Sequence, residues 1–328
     1  MTDAPETIKE TQIVPLELGH TRFDQVAAKL FPDYSRSRIQ SWIKDGQLTV
    51  NGKTLKPKDK LIGGETLLID AVLESAEHWQ PEPVELDVVY EDDHIIVINK
   101  PAGLVVHPGA GTPSGTVLNG LLARYPELAT IPRAGIVHRL DKDTTGLMVV
   151  ARTLQAQTAL AAQLQDRSMG REYWAMCMGV MTGGGTVNEP IDRHPKHRTK
   201  MSVAPEGMGR DSITHYRVEQ RYRNHTLVRC KLETGRTHQI RVHLSHIGYP
   251  LVGDQLYAGR SRLPKGVSMD VMAVLKGFKR QALHAGYLEL VHPFTRDLMN
   301  WEVDIPEDFL LLIEAMENEL ELFGRDDI

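Results

Sequence analysis

Cysteine is almost absent from this chain: Cys177 and Cys230 are the two in 328 residues. Each sits inside an apolar, strand-like run, "YWAMCMGV" and "LVRCKLETG". That excludes a disulfide framework and argues against a cysteine zinc site. Buried free thiols and a reducing, cytoplasmic setting are expected. No run of about 18 uncharged apolar residues occurs, so no membrane-spanning helix is expected. The opening "MTDAPETIKETQ" is polar and acidic and lacks the apolar core of a secretion signal. No internal repeat is visible. At 41% hydrophobic and 25% charged residues, the composition is globular, and the length suits two domains.

Net positive charge is also lacking: the formal balance is −5, which by itself disfavours a polyanionic partner. The distribution reverses that reading. Residues 20–60 carry nine Lys/Arg against four Asp/Glu, and residues 193–241 carry twelve against four. The last stretch, 302–328, carries one against ten. Two basic segments beside an acidic tail are compatible with nucleic-acid binding.

In "TRFDQVAAKLF", Phe23, Val26, Ala27 and Leu30 recur at helical spacing, and Pro32 ends the pattern. Ser35 is a candidate N-cap for a second helix with Ile39, Trp42 and Ile43 as its stripe and Gly46 as its stop. A short strand, "LTV", then meets an Asn51-Gly52 hairpin turn, and "KLIGGETLLID" reads as a further strand pair. Arg36, Arg38 and Lys44 fall off the apolar stripe and are expected on one exposed side. The order over residues 1–75 is helix, helix, small sheet. The Pro- and Glu-rich, aperiodic stretch 73–86 reads as an interdomain linker, set at 76–87.

Strand-like runs dominate after the linker: "DVVYED", "IIVINKP", "GLVVHP", "GLMVVAR", "EYWAMCMGV", "THYRVEQRY", "TLVRCKLE", "HQIRVHL" and "LHAGYLELVHP". Helical patterns occur at 116–124, at 154–166 and near 307–323. The expected fold class is α+β: a large, mostly antiparallel mixed sheet over 88–306 with a central cleft. An acidic helix over 307–328 would dock through Leu312, Ile313, Met316 and Leu320.

The glycine-rich "HPGAGTPSGT" lacks the Gly-Lys-Ser/Thr of a phosphate loop and reads as a surface loop. "GIVHRLDKDTTGLMVVAR", residues 135–152, places His138, Arg139, Asp141, Lys142 and Asp143 at the mouth of an apolar strand. It is not a kinase catalytic loop, because the downstream Asn and any Asp-Phe-Gly are missing. On a strand His138 would face away from Asp141 and Asp143, and Arg139 and Lys142 would repel a cation, so no metal is expected. A carboxylate flanked by cations stays ionised despite partial burial, and can then act as a nucleophile or a base. A salt-bridged surface turn is the alternative. In "RTHQIRVHL", read as a strand, Arg241 and His243 share a face. A buried Arg aimed at a buried Asp must pair with it, which leads us to expect an Asp141–Arg241 ion pair.

Taken together, "YEDDHIIVINKPAGLVVHPG", "AGIVHRLDKDTTGLMVVAR", "REYWA", "ETGRTHQIRVHLSHIGYPLVGDQLY" and "QALHAGYLEL" resemble the RluA-type pseudouridine synthases over about residues 88–305. "SRSRIQSWIKDGQLTVNGK" resembles an S4-type RNA-binding domain. The resemblance implies an enzyme that detaches uracil from its sugar at N1, turns it over and rejoins it through C5, with no cofactor or metal. The family's aspartate, which follows His-Arg-Leu, corresponds to Asp141. Its stacking aromatic corresponds to Tyr173, and its pairing arginine to Arg241. Arg139 matches the arginine that helps fill the space left by the flipped base. Read alone, Tyr173 is better taken as a core aromatic, and His138 as a structural hydrogen-bonding group. Arg36, Arg38, Lys44 and Arg236 join Arg139 as expected RNA contacts.

The implied partner is 23S ribosomal RNA or a 50S subunit precursor, met by a monomer, with the helix 69 stem-loop as the expected target. Other 23S sites, transfer RNA or a non-catalytic assembly role are the alternatives. A carboxylate glycosidase would need a second acid, and Asp143 is the sole neighbour.

Overall fold

The computed structural model describes residues 7–32, 34, 36–72, 79–109, 111–197, 199–205, 207–259 and 266–324. The N-terminal elements are β1 (Thr7–Ile13), α1 (Phe23–Leu30), α2 (Arg36–Lys44), β2 (Leu48–Val50) and β3 (Thr66–Val72). β3 lies between β1 and β2, antiparallel to both. Phe23, Val26 and Ala27 share a core with Ile39, Trp42, Ile43, Leu48, Leu67 and Ile69, so the apolar spacing in both helices does what it predicts. Asn51 and Gly52 both have positive φ, and Val50 and Lys53 exchange two backbone hydrogen bonds. This is the expected hairpin turn. Ser35 lies outside the described residues.

Three expectations change here. β1 precedes the helices; its side chains are mostly exposed, so it carries no apolar alternation to read. "KLIGGETLLID" forms one strand, not two: Leu61 is buried, but the Glu65 carboxylate accepts from the Ile62 and Gly63 amides and holds a turn. Arg36, Arg38 and Lys44 do not share one exposed side. Arg36 and Lys44 are exposed, whereas Arg38 is half-buried with its guanidinium 5.8 Å from the centre of the Trp42 ring. Two residues on a helix are about 200° apart, which turns Arg38 away from Arg36.

The remaining elements, in order, are β4 (Val88–Glu91), β5 (Ile95–Lys100), α3 (Val117–Arg124), β6 (Thr145–Ala151), α4 (Leu154–Gln165), β7 (Gly170–Met178), β8 (Gly185–Asn188), β9 (Ile191–Arg193), β10 (Met201–Val203), β11 (Ile213–Arg221), β12 (His225–Leu232), α5 (Gln239–His246), α6 (Met269–Gly277), β13 (Leu283–Val291), β14 (Leu298–Glu302) and α7 (Glu307–Phe323). One large sheet runs β4-β5-β6-β13-β7-β12-β11-β8, with β14 also on β13, and β9 pairs with β10 separately. Among the described residues β6–β13 is the one parallel ladder, so the sheet is mixed and mostly antiparallel as expected.

β5 and β6 are apolar at successive positions because both faces are covered. Ile96, Ile98, Met148 and Val150 share a core with Val117, Leu118 and Leu121 of α3. Ile95, Val97, Leu147 and Val149 share another with Ala156 and Leu160 of α4. Gly146 (φ 111°) lets β6 approach β13: a Cβ there would lie 2.2 Å from the Ala285 carbonyl oxygen. α7 docks as expected, with Phe309, Leu312, Ile313 and Met316 buried beside Val271 and Phe278. Cys177 and Cys230 are buried, free thiols.

Residues 79–87 are not a free linker. The Glu82 amide donates to the Asn119 carbonyl and Asn119 Nδ2 to the Gln80 carbonyl, tying the stretch to α3. Residues 73–78 lie outside the described residues. "GLVVHP" is a loop rather than a strand, and the α6 helix had no matching expectation. "HPGAGTPSGT" is a loop as expected, closed by Thr116 as N-cap of α3; Ala110 lies outside the described residues. Among the described residues no helix is long and apolar enough to cross a membrane.

Candidate active site

The turn between Leu140 and β6 delivers Asp141 to the edge of an open cleft. Its wall includes Arg139, Asp141, Arg171, Tyr173, Arg236, His238 and Arg241. The sequence-derived set therefore converges: Asp141 from the turn, Tyr173 from β7, and Arg241 from a segment 100 positions downstream. Arg139 is exposed and Arg236 half-buried at the same cleft, whereas Arg36, Arg38 and Lys44 belong to α2.

Arg241 donates from Nη1 to Asp141 Oδ2 at 2.9 Å. The expected pair is present, but the element carrying Arg241 is not a strand. It is α5, an almost wholly buried helix in which Gln239 through Leu244 are all inside. Gln239 donates to the Ile213 carbonyl and to Thr214 Oγ1, and His243 meets Thr214 Oγ1 and the Glu189 carbonyl. Polar residues satisfied inside the protein break the amphipathic spacing, and the apolar alternation of Ile240, Val242 and Leu244 then mimics a strand.

A third residue completes the pair. Asp254, with a fully buried side chain, accepts from Arg241 Nε at 2.7 Å and Nη2 at 3.0 Å. It also accepts from the Leu256 and Tyr257 amides. Burial opposes its ionisation, but the Arg241 bonds and charge outweigh burial and hold its carboxyl below the usual range. Burial likewise works against the Arg241 cation, and the two carboxylates overcome it, raising its pKa. The Tyr257 ring lies beneath the guanidinium, 5.0 Å from Cζ.

His238 caps α5 at φ 57°, a left-handed conformation uncommon outside glycine. Its Nδ1 is 2.7 Å from the Tyr257 hydroxyl, which accepts from the Met201 amide. With the hydroxyl proton given to Nδ1, the ring proton sits on Nε2, 3.8 Å from Asp141 Oδ1. Burial pushes the imidazole pKa down, against the pull of Asp141. Tyr173 is 6% exposed. It is both a core aromatic and part of the cleft wall, and burial raises the pKa of its hydroxyl.

The Asp141 turn is braced from behind. Lys100, 1% exposed, donates to the carbonyls of Pro101, Leu104 and Lys142 at 2.7, 3.0 and 2.8 Å. Arg280 donates to the Asp143 carbonyl at 3.3 Å and is gripped by both Asp308 oxygens at 2.7 Å. Lys142 and Asp143 thus serve the turn through their backbone. His138 accepts the Val149 amide through Nε2 at 3.0 Å. Sequence reasoning missed Lys100, Arg171, His238, Asp254, Tyr257 and Arg280. Asp254 stood inside the quoted "VGDQLY", a carboxylate in an apolar run, and that was the available signal. Among the described residues no three His, Cys, Asp or Glu side chains gather as a metal site requires.

The profile of the family described as RNA pseudouridylate synthase matches residues 94–246, which hold Asp141, Tyr173 and Arg241. That of the S4 domain matches residues 21–67. Ribosomal large subunit pseudouridine synthase D of Yersinia pestis is 59% identical over 97% of this chain and 95% of its own length. The chain belongs to the RNA pseudouridylate synthase family. The protein of the same name from Pseudomonas aeruginosa is 55% identical over 97% of this chain and 99% of its own. Among solved structures, human RNA Pseudouridylate Synthase Domain Containing 4 is 27% identical, with a TM-score of 0.55 over 70% of this chain and 93% of that one. This synthase therefore joins an S4 domain to a pseudouridine synthase fold.

Proposed function

We propose that the protein converts specific uridines of large-subunit (23S) ribosomal RNA to pseudouridine, with Asp141 as the nucleophile and no cofactor. The observation that carries this reading is the Asp141–Arg241 contact of 2.9 Å inside the cleft that Tyr173 also lines. Family membership supports the uridine isomerisation, and the names of the relatives support the large-subunit RNA.

The target uridine must leave its stack before its sugar is within reach, at a cost of a few kcal/mol. Stacking on the Tyr173 ring offsets about 1–3 kcal/mol of that. Arg139, exposed at the cleft, enters the space the base vacates, and Arg236 holds backbone phosphate beside it. Arg36 and Lys44 on α2 extend the phosphate track, with Arg38 stacked on Trp42 behind them. Substrate and product are isomers: the N1–C1′ bond breaks, a C5–C1′ bond forms, and the C5 hydrogen leaves as N1 gains one. No oxidant, reductant or second substrate enters that balance. Asp141 supplies electrons while C1′ is deficient, and Arg241 keeps the carboxylate ionised and aimed.

The division into residues 1–75, a connecting stretch and a catalytic unit over 88–306 closed by α7 belongs to the same reading. So do a monomer, a cytoplasmic location and the helix 69 stem-loop as target. The test is Asp141→Asn on a 23S fragment carrying that stem-loop. Wild type should form pseudouridine there, and the variant should form none while binding the RNA with unchanged affinity. Substantial turnover by Asp141→Asn would overturn the assignment. Pseudouridine mapping in ribosomal RNA from a deletion strain identifies the target: residues other than those of helix 69 losing the modification would redirect it.

A further inference from the structure

Among the described residues Arg171 is the one cleft arginine buried without a carboxylate partner. It is 4% exposed, lies on β7 two residues before Tyr173, and so faces the same side of the strand. Among the described residues it makes no ion pair. Its one hydrogen bond is a long one, Nη2 to the Glu233 carbonyl at 3.3 Å, and its buried Nε has no partner. Space is reserved for it: a Cβ on Gly235 would stand 2.6 Å from Arg171 Nη1. Burying a cation and a donor without partners is costly, and native structures tolerate it where a ligand completes the site.

The position distinguishes between two anionic groups of an RNA nucleotide. Phosphates stay on the outside of the molecule, where the exposed Arg139 and the half-buried Arg236 stand. The inner wall of the cleft, beside Tyr173, receives the base. Uracil becomes anionic when its bond to C1′ breaks, because the electron pair of that bond stays on the base. The charge on N1 is shared with O2 and O4. Arg241 is occupied by two carboxylates, which leaves Arg171 as the cation of the inner wall with donors to spare.

We propose that Arg171 is a further catalytic residue, whose guanidinium donates hydrogen bonds to the detached uracil and stabilises its negative charge. This rests on the uridine-isomerising function above. The uncharged base in the substrate draws on Arg171 weakly and the departing anion strongly, so the contribution falls on the chemical step rather than on binding.

The experiment compares wild type, Arg171→Met, Arg171→Lys and Asp141→Asn in single turnovers on one RNA stem-loop. The same stem-loop carrying 5-fluorouridine at the target site supplies a base whose anion is intrinsically more stable. Arg171→Met should slow conversion of uridine at saturating RNA by about 100-fold, the order found when an oxyanion donor is removed. RNA affinity and its salt dependence should stay unchanged, which also reports that the variant is folded. On 5-fluorouridine, whose C5 fluorine cannot leave as the C5 proton does, the rate read is N1–C1′ breakage, followed as the rejoined base that retains fluorine. The loss should be smaller there, and Arg171→Lys should recover part of the rate on uridine.

Three results would overturn the inference. One is an unchanged saturating rate in Arg171→Met. The second is an equal loss on both bases. The third is weakened binding whose salt slope falls by about 0.7–0.9, the mark of one lost phosphate contact. Wild type inactive on every uridine RNA, or Asp141→Asn active, would instead fault the function itself.

Discussion

Arg241 meets Asp254 through two nitrogens and Asp141 through the third. One carboxylate is sealed in the protein and the other opens to the cleft. Asp254 therefore fixes the guanidinium, and the guanidinium fixes Asp141. We expect Asp254→Asn to lower stability by on the order of 3 kcal/mol, because it leaves a buried charge short of its partner. It should also slow pseudouridine formation by about 100-fold through misplacement of Asp141. Urea titration and single-turnover rates measure the two effects. Arg241→Lys should fare no better, since an ammonium cannot bridge both carboxylates in one plane.

Lys100 offers a way to loosen the Asp141 turn without touching the cleft. Its ammonium joins the end of β5 to the Lys142 carbonyl. Lys100→Met should reduce the single-turnover rate by up to about 100-fold and leave RNA affinity unchanged. Lys100→Arg should not restore activity, because the three carbonyls converge on a point and a planar fork cannot satisfy them. Restored activity in that variant would show that charge alone suffices.

Three imidazoles held neutral by the fold contribute stability that acid removes. Burial pushes the His138 pKa from 6.5 down to about 3, with Arg171 adding to the shift, and pushes those of His225 and His284 down to about 4. These groups bind protons in the unfolded chain before they do in the folded one. Their contribution is complete above pH 6.5 and declines as pH falls toward about 3 for His138. Each group adds at most about 1.4 kcal/mol per pH unit. His138→Gln keeps an acceptor for the Val149 amide and does not titrate, so its urea midpoint should fall less steeply with acid than that of wild type. Equal slopes would count against the assignment.

α2 presents two exposed cations, Arg36 and Lys44, and one that is half-buried against Trp42. Arg36→Glu and Lys44→Glu should weaken binding to the RNA fragment and each lower the slope of log affinity against log salt by about 0.7–0.9. Arg38→Glu should instead lower the melting temperature, since it withdraws a packed side chain. Fluorescence titration at several salt concentrations separates the two effects.

The sequence was most legible where one periodicity held over several residues. α1, α2 and α4 show it by their stripes, and β5, β6, β7 and β12 by apolar runs between turns. It misled at α5, where Gln239, Arg241 and His243 are polar yet inside, so nothing marked a solvent face. β1 was silent because an edge strand with exposed side chains has no apolar pattern. In the site, Asp141, Tyr173 and Arg241 were legible through the family resemblance and Arg139 beside them. Lys100, Asp254 and Arg280 were not, because each acts through carbonyls or through another side chain, contacts that only the folded backbone creates. The stretch read as a linker shows a related limit of composition: Pro- and Glu-rich chain lies along a helix when its backbone finds partners such as Asn119.

The hold of Asp308 on Arg280, and of Arg280 on the Asp143 carbonyl, has a consequence in time. During synthesis the nascent chain has every side chain of the cleft wall once Leu283 is made. The Arg280 arm of the brace behind the Asp141 turn must still wait for residue 308 to emerge, and for the first turns of α7 to bury Phe309 and Leu312. A chain halted before α7 would hold the Asp141 turn through Lys100 alone.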